Sequence, residues 1–220
     1  DGRYVAYTTG TSPVASLHRK SVDGSSADEV LASEAGANLS VPTFSPDGGQ
    51  VVYVRSTGPT GNAIVVMPLK GDRTAKVIVS APSAQATLNF PRVSPDGRWL
   101  AYSSNETGRV QVYVTAFPTG AGKWLVSEQA GDIPAWRRDG REIYFASASD
   151  LMAAEVTAVG GQFSVGPPRV VAQLGNAIAS GRVYDAMPDG SRFVAPIVSS
   201  DSAAPIQLLI NWPGALKLGS

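Results

Sequence analysis

An Asp-Gly pair recurs along this chain at Asp1-Gly2, Asp47-Gly48, Asp96-Gly97, Asp139-Gly140 and Asp189-Gly190, at intervals of 46, 49, 43 and 50 residues. A frame repeats with it. Four residues after each Asp stands Val5, Val51, Leu100, Ile143 or Phe193, and two further on stands Tyr7, Tyr53, Tyr102, Phe145 or Ala195. Pro42, Pro91 and Pro134 lie five residues before their Asp, with Tyr184 at that place in the last copy. Pro46, Pro95 and Pro188 directly precede it, whereas Arg138 does so in the fourth. Pro pre-sets one turn residue, Asp bonds its own backbone and Gly adopts positive φ at low cost. Each copy therefore reads as a tight turn between two β-rich runs, best formed at 94–102.

A second glycine follows each pair: Gly24, Gly71, Gly120, Gly160 and Gly214. Strand-like runs precede it (63–69, 110–117, 206–212) and short ones follow it (29–32, 76–80, 123–127). A period of four strands with hairpin turns is that of a propeller blade. The chain is expected to be all-β, a single domain over 1–220 with about five four-stranded antiparallel blades at 1–35, 36–82, 83–129, 130–176 and 177–220. The first and last blades read as incomplete, as in a piece of a six-bladed or larger ring; a closed five-bladed ring is the alternative. An open ring would leave apolar blade faces uncovered, and self-association is then expected. Residues 157–182 are the least regular, with Gly160-Gly161 and Gly166-Pro167-Pro168 framing a longer outer hairpin and a loop following over 175–181.

Charge narrows the partners. Eighteen basic and eighteen acidic residues cancel, with no run of either sign, so nucleic acid and anionic membrane are poor partners. No segment has the length of an apolar membrane span. The absence of cysteine removes disulfides, thiol catalysis and zinc-thiolate sites, and leaves cytoplasm and periplasm both open.

Catalytic signatures are weak. Gly120-Ala121-Gly122-Lys123 resembles a phosphate loop but lacks the spacing and the Ser/Thr after Lys. His18 is the only histidine, and no Gly-x-Ser-x-Gly elbow accompanies it, so it reads as a surface or blade-packing residue. The turn aspartates stand one per blade without a local calcium-loop series; a channel calcium ion would call on Asp132 or Asp185, and no cofactor is expected. Trp99, Trp124, Trp136, Tyr53, Tyr102, Tyr113 and Tyr144 read as blade packing before ligand platforms. The candidate binding residues are Arg92 and Arg137 on innermost strands, with Arg55 and Asn105 where strand ends open into a face loop. They would line the channel mouth and hold a carboxylate or a partner's backbone. The ordinary role for such arginines is solvation or a bridge to a neighbouring blade.

The repeats resemble those of the TolB-like β-propellers over essentially the whole chain, through the Pro-Asp-Gly turns and their downstream glycines. A closer resemblance is to the C-terminal propeller region of certain bacterial serine/threonine protein kinases. It is carried by residues 68–73, 94–102 with 104–109, 112–114 with 117–118, 122–124, Trp136-Arg137-Arg138-Asp139-Gly140, Leu151-Met152-Ala153, 188–193 and Asn211-Trp212. The departures are Arg137-Arg138 for Ser-Pro and Ala195 for an aromatic. The resemblance implies a non-catalytic sensor or scaffold that binds a protein, peptide or small ligand within a longer bacterial polypeptide, on the periplasmic or extracytoplasmic side. Two alternatives stay open: a propeller that gates substrate for an oligopeptidase-like hydrolase, and a calcium-dependent enzyme working in the channel.

Overall fold

The computed structural model describes residues 2–10, 14–58, 61–173, 184–186 and 192–194. The Asp189-Gly190 turn, the 175–181 loop and the runs expected at 206–212 and 215–218 lie outside them. The first sheet is β1 (Tyr4–Thr9), β2 (Val14–Ser21) and β3 (Glu29–Ala35), in that order. The second is β4 (Asn38–Phe44), β5 (Gln50–Ser56), β6 (Asn62–Pro68) and β7 (Lys76–Ser80). The third is β8 (Leu88–Val93), β9 (Trp99–Ser104), β10 (Gln111–Ala116) and β11 (Trp124–Leu125). The fourth holds β12 (Asp132–Trp136), β13 (Glu142–Ser147), β14 (Asp150–Val159), β15 (Gln162–Val165) and β16 (Arg169–Gln173). A pair, β17 (Asp185–Ala186) with β18 (Phe193–Val194), follows.

Pairing is antiparallel throughout, and the sheets stand side by side: β1 contacts β4, β4 contacts β8, β8 contacts β12 and β12 contacts β17. This is the expected propeller of four-stranded blades. β1 follows Asp1-Gly2 as β5 follows Asp47-Gly48, so the first sheet carries the last three strands of its period.

The second, third and fourth sheets bury both faces, which is why strands such as Ile64-Val65-Val66-Met67 are apolar without alternation. Val51, Tyr53, Val65 and Met67 pack on Ala15, Leu17 and Leu31 of the first sheet. From the opposite face Val52, Val54, Ile64 and Val66 pack on Leu88, Leu100, Tyr102 and Tyr113 of the third. Trp136 adds a polar tie between blades, its Nε1 donating to the Arg92 carbonyl at 3.0 Å.

The innermost strands share one distortion. β4, β8 and β12 each carry an extra residue against the neighbouring strand, between Ser40 and Thr43, Asn89 and Arg92, and Asp132 and Ala135. At each bulge a bulky residue takes the left-handed conformation: Val41 (φ 49°), Phe90 (49°) and Ile133 (53°). The periodic Pro42, Pro91 and Pro134 come next, where a missing N–H costs no ladder bond.

The fourth sheet departs from a plain four-strand blade because β14 is ten residues long. Its first half pairs with β13 and β16; its second half pairs with β15 through the Gly160-Gly161 turn, both glycines at positive φ. The expected outer hairpin is thus present and folds back onto the third sheet. There Phe163 sits among Trp99, Trp124 and Trp136, with ring centroids 4.8, 5.6 and 6.3 Å away. Phe163 is buried, so Phe163→Ala is expected to cost about 3–5 kcal/mol. Urea unfolding followed by tryptophan fluorescence measures this, and a loss under about 1 kcal/mol would show that the hairpin does not pin these blades.

Candidate functional site

The Asp-Gly turns gather at one end of the blades. In the second and third, Ser45 and Ser94 donate Oγ–H to Asp47 and Asp96 at 2.5 Å. The same hydroxyls accept the N–H groups of Gln50 and Trp99 at 2.9 Å. Arg137 stands at the serine's position in the fourth turn and binds Asp139 through Nε (2.8 Å) and Nη2 (2.5 Å). Its Nη1 reaches the buried Glu142 at 2.8 Å, and Arg169 of β16 pairs with the other oxygen of that carboxylate. Tyr144 donates to Glu142 as well, at 3.0 Å.

These contacts decide how much of the predicted set is available for a ligand. Arg137 closes a turn, and its donors are spent on Asp139 and Glu142. Arg55 and Asn105 lie at the far ends of β5 and β9, a strand length of roughly 20 Å from the turns, so the four residues form no single constellation. Arg55 reaches back to Glu34 of the first sheet at 3.7 Å, with a buried Nε that has no hydrogen-bond partner. Asn105 is a brace: its Oδ1 accepts the Thr87 N–H at 2.7 Å, and its Nδ2 donates to the Gln85 carbonyl.

Arg92 differs. It stands on innermost β8 and is largely withdrawn from solvent, so burial lowers its pKa, opposed by the charge of Asp185. Among the described residues its side chain makes one hydrogen bond, from Nη1 to the carbonyl of Pro91 at 3.0 Å. Among the described residues no carboxylate comes within ion-pair distance of it. Beside it in the electrostatic field is Tyr184, which is 3% exposed and whose hydroxyl has no hydrogen-bond partner among the described residues. Burial pushes the Tyr184 pKa well up, so the group is a neutral donor. Arg92 on the third sheet and Tyr184 just before β17, on either side of β12, are therefore two donors with spare capacity near one another, a chemistry suited to a carboxylate or a backbone carbonyl. In the sequence Tyr184 had shown itself only as the residue replacing proline in the fifth copy.

The remaining candidates are placed as follows. Asp132 and Asp185 accept the next residue's N–H, at 2.8 and 2.9 Å. His18 lies in a polar chain on the first sheet, Nδ1 to Asp28 at 2.7 Å and Nε2 to Thr9 Oγ1 at 2.8 Å, stacked on Tyr7. Tyr7 also donates to Asp28, at 2.6 Å. Among the described residues no helix is long and apolar enough to cross a membrane.

The fold defines a β-propeller. Residues 1–161 match the family model of the TolB beta propeller domain, and the chain belongs to that family. Among solved structures, TolB from Acinetobacter baumannii is similar at 21% identity and a TM-score of 0.63, over 90% of this chain and 47% of that one. An oligogalacturonate lyase in complex with manganese is similar at 15% identity and a TM-score of 0.59, over 83% of this chain and 50% of that one. A study of two prolyl endopeptidases supplies a third, at 15% identity and a TM-score of 0.54, over 89% and 31% of the respective chains. The chain thus spans about half the length of the solved TolB it matches, and at these identities the likeness is one of fold. No curated protein matches the chain.

The fourth turn supports a pH prediction. The Arg137 hydrogen bond holds the Asp139 pKa down, to about 2. A carboxylate depressed in the folded state adds stability above its unfolded pKa of about 3.9, and that contribution is lost as pH falls toward 2. An NMR titration of the Asp139 carboxyl is expected to show a midpoint near 2 in the parent chain and a return toward about 3.9 in Arg137→Gln. An unmoved midpoint in the variant would remove the ion pair as its cause.

Proposed function

We propose that the chain is a non-catalytic binding module of a larger bacterial protein, a sensor or scaffold that engages a carboxylate or backbone carbonyl of a protein, peptide or small ligand at Arg92 and Tyr184. The observation that carries this reading is the withdrawn Arg92 guanidinium next to the buried Tyr184 hydroxyl, the first without an ion-pair partner and the second without a hydrogen-bond partner among the described residues. A cation kept from water without a carboxylate in ion-pair contact is costly to the fold, and an anionic or carbonyl guest offsets that cost. Family membership supports a binding role, and the lone histidine, tied to Asp28 and Thr9, offers no free general base. Attachment to a kinase and substrate gating for a hydrolase are finer readings of the same module, distinguished by the catalytic motifs in the parent polypeptide's neighbouring sequence.

Capture of the partner by the full-length parent tests the site through Arg92→Met and Tyr184→Phe. The first is expected to weaken binding at least about tenfold, the value of one charge-assisted hydrogen bond. Tyr184→Phe is expected to weaken binding while leaving thermal stability unchanged or higher, because its hydroxyl is unsatisfied in the free protein. Binding unaffected by Arg92→Met would end the assignment.

A further inference from the structure

We propose that the free edge of β14, from Val156 to Val159, is a docking strip on which an extended, acidic segment of a partner protein adds as a further strand. The site is separate from Arg92 and lies at the end of the blades where the Asp-Gly turns gather. The register of the hairpin identifies the edge. Gly166 N–H bonds the Glu155 carbonyl, and Thr157 and Val159 face Ser164 and Gln162 of β15. The backbone groups of Val156 and Ala158 therefore point the other way. Val156 N–H bonds the Arg141 carbonyl at 2.9 Å, but the Arg141 N–H is turned to Asp139 instead. The Val156 carbonyl and both backbone groups of Ala158 are left with no partner strand among the described residues.

That edge opens into a cleft of about 600 Å³, bounded by the turn at Asp96 and Arg98, the turn at Arg137–Glu142 and the strand itself. Its volume is in the range of sites that hold ligands. Exposed edges are ordinarily protected by lysine, proline or a bulge. Val156-Thr157-Ala158-Val159 has none of these; it is β-prone and uncharged, and Val159 is 69% exposed.

Of the carboxylates on the cleft's lining, Asp96, Asp139 and Glu142 are engaged by Arg98, Arg137 and Arg169. Glu155, opposite Glu142, is on the other face of the sheet from Val156 and Ala158, so the arginines select the occupant. Arg141 lines the cleft and has no carboxylate within ion-pair distance among the described residues. Arg98 engages Asp96 only through Nε, and its side chain is 66% exposed, so its terminal nitrogens remain available. Arg141 lies on the face of the sheet shared by Val156 and Ala158, one residue out of register with the Glu142–Glu155 pair. An incoming strand thus meets backbone donors and acceptors at Ala158 and two guanidinium groups beside it. An Asp or Glu in the guest satisfies both, as in other cases of strand addition.

The test adds a short, end-blocked peptide of alternating Val and Glu to the 220-residue chain. Hydrogen exchange at the Ala158 N–H, read by NMR, is expected to slow by about tenfold or more at saturation. Arg141→Glu is expected to lower affinity about tenfold with the melting temperature retained, while Arg92→Met leaves this peptide's affinity unchanged. A peptide N-methylated at alternate residues, unable to pair, is expected not to bind. Unaltered Ala158 exchange, equal binding by the N-methylated peptide, or equal binding by a Val-Lys peptide would each overturn the proposal. Slow exchange at Ala158 without peptide, from a segment of this chain or a second copy on the edge, overturns it too.

Discussion

The structure depends on letting innermost strands crowd together while the second, third and fourth sheets keep both faces buried. A straight strand cannot do this: its pleat and the neighbouring ladder fix the twist. β4, β8 and β12 solve the problem identically, with one extra residue in the left-handed region followed by proline. For Val41, Phe90 and Ile133 that conformation costs roughly 1–2 kcal/mol each, and such strain persists only where the surroundings leave no alternative. The surroundings here are the cores between sheets. Leu39 and Leu88, just before the first two bulges, are almost fully buried, as are Val51, Val52 and Leu100 on the partner strands. Each methylene in those cores is worth about 0.8 kcal/mol, so a few buried side chains per blade offset the strain.

The turns and strands were legible because their chemistry is local. Asp-Gly with a following apolar pair marks a hairpin whatever surrounds it, and β7 begins and ends where the sequence placed it, at Lys76 and Ser80. The bulges were half visible. Their prolines recur in register, but Val, Phe and Ile are poor left-handed residues, so propensity pointed away from the conformation they adopt. The tryptophans were assigned to packing for a general reason, and the structure supplies the particular one: Phe163, from an inserted hairpin, fills the space among them.

Binding residues were harder to read, because spare hydrogen-bonding capacity is a property of the folded neighbourhood. Arg92 and Arg137 look alike in the chain, both near the end of an inner strand. One finds two carboxylates and the other finds none within reach among the described residues, and only tertiary geometry separates them. Asn105, conspicuous as a polar residue at a loop mouth, proves to splint the loop before β8. Tyr184 attracted no notice as a binding residue, since a tyrosine signals burial in the sequence but not whether its hydroxyl is satisfied.

The fourth blade combines two departures from the repeat, and they are physically linked. In the second and third turns serine ties Asp to the backbone of its own hairpin and reaches no outer strand. Arginine at that position reaches Glu142 and, through that carboxylate, Arg169 at the start of β16. β16 is thereby anchored against the first half of β14, with Arg169 opposite Ala153. Pro167-Pro168, which have no N–H to continue a ladder, separate it from β15. The two halves of β14 are consequently served by different strands, and beyond the Val156 N–H the inner edge of the second half meets no neighbour among the described residues. The substitution that ended the regularity of the turn thus helps set out a strand edge beside the arginines of the cleft.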